Sequence, residues 1–388
     1  MTILLLAIIY AAFISLGLPD SLLGAAWPVM SQEFQVPVSY AGAISITISV
    51  GTVTASLLSQ RLNNRFGTGI VTAASVAMTA LALMGFSLTK SYWMMFIWAI
   101  PFGLGAGGID AALNNYVALH YASRHMSWLH CMWGVGASVG PYIMGRALSG
   151  GCSWNMGYRW IACLQTGLTA VLLLSIPLWK KCGKTDQTEI KQAQRRALSL
   201  REILAIPGAK EVFVAFFCYC AAEQTAILWA STYLVHHRGI LPEMAASMAS
   251  LFFIGITTGR GINGFLTYKL EDKVLIRLGE GIMVFGLLVM VLPAGDLAAM
   301  AGLLLFGLGC APIYPCIIHS TPALFGQERS QAIIGVQMAS AYIGALITPP
   351  VFGLIANHIS VSLLPMFLAG ITLVMTGMSE KLNRAVTL

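Results

Sequence analysis

Twelve apolar runs follow one another along the chain, separated mostly by short polar breaks. They lie near 2–29, 36–61, 68–89, 91–120, 124–148, 156–179, 209–236, 243–268, 274–293, 297–323, 329–356 and 361–380. A membrane-spanning helix needs about 20 apolar residues, so each run predicts one span. The first run lacks a basic leading segment, is too long for a signal peptide and carries Pro19 and Asp20 in its middle, so it reads as a retained helix. One long polar stretch, Lys180 to Lys210, divides the runs six and six, and Ser199 is placed to cap a short helix through Arg201 and Glu202. The pattern predicts an all-α membrane protein: a six-helix bundle over 1–179, a linker over 180–208 and a second six-helix bundle over 209–388.

Composition agrees. Of 388 residues, 57% are hydrophobic and 10% charged, against about 25% charged in soluble domains. A soluble enzyme, a disordered chain and a secreted disulfide scaffold are excluded. The net charge of +7 does not point to nucleic acid, because the basic residues are sorted by loop. With the N-terminus inside, 18 of the 22 lysines and arginines fall on the cytoplasmic side, eight of them in the linker region. That asymmetry predicts both termini in the cytoplasm and insertion in the inner (plasma) membrane. The eight cysteines are scattered, with no CxxC pair and no histidine at metal spacing, so neither a metal site nor a disulfide framework is expected.

The two halves also repeat. Phe102-Gly103-Leu104-Gly105 recurs as Phe306-Gly307-Leu308-Gly309, an offset of 204, and at the same offset Gly51 matches Gly255 and Arg65 matches Lys269. Gly136-Ala137 with Pro141 and Gly145 recurs as Gly344-Ala345 with Pro349 and Gly353, at an offset of 208. Parallel repeats of this kind are used by secondary transporters with twelve helices.

Chemistry is sought where polar groups interrupt the runs. An acid at mid-bilayer costs about 2.5–3.5 kcal/mol on insertion scales and usually faces a cavity on an ion or substrate path. Asp20, Asp110 and Glu223 lie deep in runs one, four and seven and are the candidates for proton coupling. Burial in a low-dielectric medium favours the neutral form of a carboxyl group, which suits proton uptake. Asp110 and Asn114 are four apart and share a helix face, with Asn115 adjoining. Together an acid and an amide offer acceptors and donors to a hydroxyl-rich solute. His130 and Trp133 share a face in run five, a polar group beside an aromatic plane of the kind that holds a sugar ring. Gln224, Trp229 and Tyr233 in run seven, Tyr314 between Pro312 and Pro315 in run ten, and Gln337 in run eleven complete the candidate solute contacts. Arg260 lies one or two turns inside the cytoplasmic end of run eight, where it can snorkel or clamp an inner gate. There is no GxxxxGK[ST], GxSxG or HExxH pattern, so neither ATP hydrolysis nor hydrolase chemistry is indicated. No catalytic residue and no cofactor are expected, only protons, or alternatively sodium, as coupling ion.

At these residues the sequence resembles the major facilitator superfamily and, within it, the fucose-permease-like branch of sugar transporters. The resemblance rests on Pro19-Asp20-Ser21-Leu22-Leu23, Asp110-Ala-Ala-Leu-Asn114, and Leu129-His130 through Gly136-Ala137. It implies a helix-one aspartate acting in sugar and proton handling, matched by Asp20, and an acid-xxx-Asn motif in helix four, matched by Asp110 and Asn114. His130 stands where the fucose permease has a sugar-contacting glutamine. Gly17 stands where it has an asparagine. The loop after helix two, Arg61 to Gly67, lacks the family's aspartate. The stretch Gly136-xxx-Gly140-Pro141-xx-Met144-Gly145 also resembles the glycine-proline motif of drug/proton antiporters, although helix packing by small residues accounts for the same spacing.

The resulting expectation is a monomeric carrier in the bilayer working by alternating access. It performs proton-coupled symport of a small solute, a sugar or sugar-like molecule. The alternatives are a proton/drug antiporter and a sodium-coupled or uncoupled sugar carrier.

Overall fold

The computed structural model describes residues 2–121, 123–151, 153–182, 200–292 and 294–387. Some side chains inside the helices, including those of Arg61, Asn115 and Arg124, lie outside the description, as does 183–199, most of the expected linker. The elements are α1 (Thr2–Asp20), α2 (Leu22–Glu33), α3 (Tyr40–Phe66), α4 (Thr68–Leu88), α5 (Tyr92–His120), α6 (Ser123–Ser149), α7 (Trp154–Cys182), α8 (Leu200–Leu204), α9 (Ala209–Arg238), α10 (Pro242–Leu266), α11 (Asp272–Val291), α12 (Gly295–Cys310), α13 (Ile313–Phe325), α14 (Gln327–Ile355) and α15 (Leu364–Thr387). The described residues contain no strand. Among the described residues, eight helical stretches, three of them running across breaks between these elements, are long and apolar enough to cross a membrane.

Two predicted runs are each split into a pair of helices, and proline is the reason in both. The first span breaks at Ser21, two residues after Pro19. The tenth breaks at Ala311 and Pro312. Proline lacks an N–H and crowds the carbonyl four residues before it, leaving that carbonyl in need of a donor in a medium with no water. Pro19 frees the carbonyl of Ser15, which accepts from Gln165 Nε2 of α7 at 2.7 Å. Pro141 frees that of Ala137, which accepts from Ser21 Oγ at 3.2 Å. The break at Ser21 therefore supplies the group that satisfies the proline-disturbed turn of α6.

Inside lipid, helices associate by close packing, and small residues permit it. The sequence repeat is visible as this packing. A Cβ added at Gly103 of α5 would lie 2.2 Å from the carbonyl oxygen of Ile48 in α3. At Gly307 of α12 it would lie 2.0 Å from that of Phe252 in α10, the same pair shifted by 204. Gly105 meets the carbonyl of Ser75 in α4 and Gly309 that of Gly279 in α11, both at 2.6 Å and again 204 apart. Gly136 of α6 meets Ile14 of α1 and Gly344 of α14 meets Phe217 of α9. This last pair places Asp20 and Glu223, both six residues further on, at equivalent positions of the two halves.

The halves touch through α2 with α9, α3 with α14, and α6 with α10. Several cross-half contacts sit toward the end of the bundle opposite the basic turns. There Gly24 packs on Ile227 and Leu228, Gly42 on Pro350, and Gly145 on Glu243 and Ser247, while Ser231 Oγ donates to the carbonyl of Ala25 at 3.3 Å. Trp27 and Trp229 are fully buried in this closed region.

Candidate functional site

At the middle of the bundle, polar side chains from both halves converge. Asp20, Asp110, Asn114, His130, Trp133, Gln224, Arg260 and Tyr314 all remain partly exposed there, in contrast to the closed region above them. Trp133 with Arg260 and His130 with Tyr314 meet from opposite halves, and the partial exposure of these side chains marks the cleft between the halves.

The N-terminal half contributes two carboxyl groups. Asp20 is the last residue of α1, so the Pro19 break presents it at a helix end rather than within a helix. Its Oδ2 accepts from Trp133 Nε1 at 2.7 Å. Asp110 on α5 accepts at Oδ1 from Asn114 Nδ2 at 2.8 Å, and the same amide donates to the Asp110 carbonyl at 3.0 Å. The four-residue spacing produces this contact directly. Both acids are thus held by neutral N–H donors. The ion pairs among the described residues include neither of them.

The C-terminal half contributes an acid with a cation. Arg260 Nη2 of α10 lies 3.7 Å from Glu223 Oε1 of α9, with side-chain exposures of 14% and 9%. That separation is an ion pair without a hydrogen bond, and Glu223 Oε1 is buried with no hydrogen-bond partner. The guanidinium carbon lies 5.4 Å from the ring centre of Trp133, across the cleft. His130 and Tyr314 also meet across the cleft, with ring centres 6.5 Å apart, and Phe13 closes on His130 edge-on at 5.8 Å. Tyr314 Oη donates to Met338 Sδ at 3.5 Å.

The structure does not bring three candidates into the cleft. Trp229 is fully buried in the closed region, its Nε1 donating to the Pro349 carbonyl at 2.8 Å. Tyr233 lies a turn beyond it, buried against His237. Gln337 is fully buried, with its amide hydrogen-bonded to Thr321 Oγ1 at 3.0 and 3.2 Å inside the C-terminal half. Mid-run position selected these residues, but the helix face they occupy is set by neighbours that the runs do not reveal. Asn115 lies outside the described side chains. Arg260 sits beside Trp133 and Glu223, not among the basic turns.

Several residues escaped the sequence reading. Tyr219 lies one turn before Glu223, its ring tilted against that of Tyr314 with centres 6.3 Å apart, and the four-residue spacing to Glu223 is a signal that could have found it. Glu280 is a further buried acid, accepting from Ser379 Oγ at 2.8 Å. It lies on α11 away from the cleft, where proximity to a run boundary disguised it. The departure at Gly17 has a steric cause: a Cβ there would lie 2.1 Å from the Trp133 carbonyl, so no asparagine fits. The glycine-proline stretch of α6 likewise packs helices, with Gly136 and Gly140 against the carbonyls of Ile14 and Leu18.

Comparison with known proteins places this geometry in context. The sequence profile described as Major Facilitator Superfamily matches residues 9–292 and 212–379. The chain is 20% identical over 383 residues to the Bacillus subtilis glucose/mannose transporter GlcP, covering 97% of this chain and 94% of that protein. It is 22% identical to the mouse sodium-dependent glucose transporter 1A, covering 90% and 89%. A match to yeast Bypass of stop codon protein 6, 23% identical, spans 56% of that protein's length. Among solved structures, the nucleoside transporter NupG (D323A mutant) superposes with a TM-score of 0.77 at 14% identity, over 97% of this chain and 98% of that one, which shows a shared fold.

Proposed function

The chain belongs to the Major Facilitator Superfamily, a family of secondary transporters, and from that premise we propose that it is a proton-coupled symporter of a neutral, hydroxyl-rich solute, a sugar or close analogue. It is a multi-pass membrane transporter, not an enzyme. The observation that carries the finer reading is the pair Asp20 and Asp110: two carboxyl groups at mid-bilayer, each held, among the described residues, by a neutral donor. With no ion pair to a cation among the described residues, either acid becomes cheap to bury by taking up a proton.

The charge count supports a neutral solute. Arg260, the cation described in the cleft, already faces Glu223, so no uncompensated positive charge is at hand for an anionic solute. The donors and acceptors of Asn114, His130, Gln224 and Tyr314 suit hydroxyl groups. In this reading the halves 1–179 and 209–388 rock about the cleft. Protonation at the outer side of the plasma membrane favours solute binding, and deprotonation follows release to the cytoplasm, the side of the basic turns. The working unit is a monomer, since two bundles enclose one cleft. No cofactor takes part beyond the coupling ion.

The test is proton movement in proteoliposomes loaded with a pH dye, with glucose, mannose, fucose and small oligosaccharides supplied outside. Acidification of the lumen by one of these sugars, absent in Asp110→Asn, supports the reading; sugar uptake without proton movement overturns it. A sodium-coupled reading is favoured by the name of the mouse relative and by the ability of carboxylates to bind sodium. It predicts uptake that follows a sodium gradient and leaves the dye unchanged.

A further inference from the structure

We propose that Trp133 and Arg260 are the coupling contact between the halves, through which the proton state of Asp20 sets the strength of the grip between α6 and α10. This rests on the proton-symport reading above.

Trp133 is engaged on two sides at once. Its Nε1–H donates to Asp20 Oδ2 at 2.7 Å within the N-terminal half, and its ring carries the Arg260 guanidinium of the C-terminal half at 5.4 Å. An ionised carboxylate accepts a stronger hydrogen bond than a protonated one. It pulls density from the N–H bond toward the ring, and a ring richer in electron density holds a cation more tightly. An ionised Asp20 therefore draws Arg260 across the cleft; a protonated Asp20 releases it.

Released Arg260 has a place to go. Its ion pair with Glu223 stands at 3.7 Å, just beyond hydrogen-bond reach, and Glu223 Oε1 is buried with no hydrogen bond of its own. A displacement well under about 1 Å would convert this loose pair into a hydrogen-bonded one. The backbone beside the contact is placed to transmit that displacement. Gly134, next to Trp133, meets Thr257, one turn before Arg260, so closely that an added Cβ would lie 2.2 Å from Thr257 Oγ1. A shift of the guanidinium is thus made next to the point where α6 and α10 bear on one another.

The groups whose charges reach Asp20 are Asp110 from α5 and Glu223 from α9. On the cation's side, His130 and Cys131 from α6, Tyr219 and Cys220 from α9, Cys310 from α12 and Tyr314 from α13 face Arg260. Asp20 is joined to the cation through the Trp133 side chain, by a hydrogen bond on one side and a ring contact on the other. Trp133 and Arg260 are positioning residues here: they relay the state of an acid rather than exchange the proton, which passes between Asp20 and cleft water.

The test needs no solute. Spin labels on unnatural residues at Leu62 and Tyr268, both exposed near the basic turns of opposite halves, report the opening of the full chain in lipid nanodiscs at acid and alkaline pH. Between the two pH values the wild type is expected to shift its ratio of distance populations about 5-fold, a part of what one desolvated cation–π contact is worth, since the contact is weakened rather than removed. Trp133→Phe, which keeps a ring and loses the N–H donor, is expected to lose that shift. Arg260→Lys, which keeps the charge and loses the planar stacking, is the second variant should the first not fold, and is expected to flatten the same response. A wild type without a pH-dependent shift, or a Trp133→Phe or Arg260→Lys variant that retains it, overturns the proposal. Failure of the symport reading is separately visible as absence of sugar-driven proton movement in the wild type.

Discussion

Asp20 and Glu223 occupy equivalent positions in two halves built on one pattern, yet they have opposite partners. The packing that sets Gly136 on Ile14 sets Gly344 on Phe217, and each acid follows six residues later. Asp20 receives a neutral indole N–H at 2.7 Å; Glu223 faces a guanidinium at 3.7 Å. The same comparison runs through the fourth helix of each half, where Asp110 with Asn114 corresponds to Tyr314 with Ile318. The scaffold has been kept while the charge has been divided. One half holds two acids on neutral donors; the other holds an acid facing a cation. In the proposed symport, the first supplies a load that changes and the second a frame that does not.

The largest expected effect follows from removing a free acid. Asp110→Asn leaves the Asn114 contact geometrically possible and abolishes proton-driven accumulation, measured as loss of uphill sugar uptake under an imposed pH gradient. Next is the contrast between the equivalent acids. Glu223→Gln strands the Arg260 charge in a buried site and should lower unfolding stability by about 3 kcal/mol or more, whereas Asp20→Asn strands no charge and should stay within about 1 kcal/mol. Thermal unfolding of the two variants in one detergent checks this, and equal losses would break the comparison. A smaller effect sharpens the repeat. Gly103→Ala and Gly307→Ala each push a methyl into a facing carbonyl, and each should cost about 1–3 kcal/mol; tolerance of one and not the other would mean that the halves do not pack alike. Smallest is Gln165→Leu, which leaves the Ser15 carbonyl freed by Pro19 without its donor, at about 1–2 kcal/mol in the same assay.

Much of the fold was legible in the sequence because the bilayer makes it so. A helix in lipid must be long and apolar, and runs such as 68–89 and 209–236 fall within two residues of α4 and α9. The repeat was legible through glycines, since close packing leaves few alternatives at those positions. The cleft was readable where charge is expensive: Asp20, Asp110 and Arg260 have few places to go. It was not readable for Trp229, Tyr233 and Gln337, since an amide or an aromatic ring is satisfied equally well inside a half as in a cleft, and nothing local distinguishes Thr321 from a solute as the partner of Gln337. Trp133 shows the same limit from the other side. Its place in the cleft followed from spacing to His130, but its two engagements, with Asp20 and with Arg260, depend on helices 113 and 127 residues away in the chain.

The most direct test of the divided-charge account is the infrared difference spectrum of the carboxyl C=O stretch on lowering the pH, recorded for the wild type, Asp20→Asn, Asp110→Asn and Glu223→Gln in lipid. The account predicts that the band of protonating carboxyl groups shrinks in each aspartate variant and is unchanged in Glu223→Gln. A band that survives both aspartate substitutions and disappears with Glu223→Gln would contradict it, placing the proton on the acid paired with Arg260.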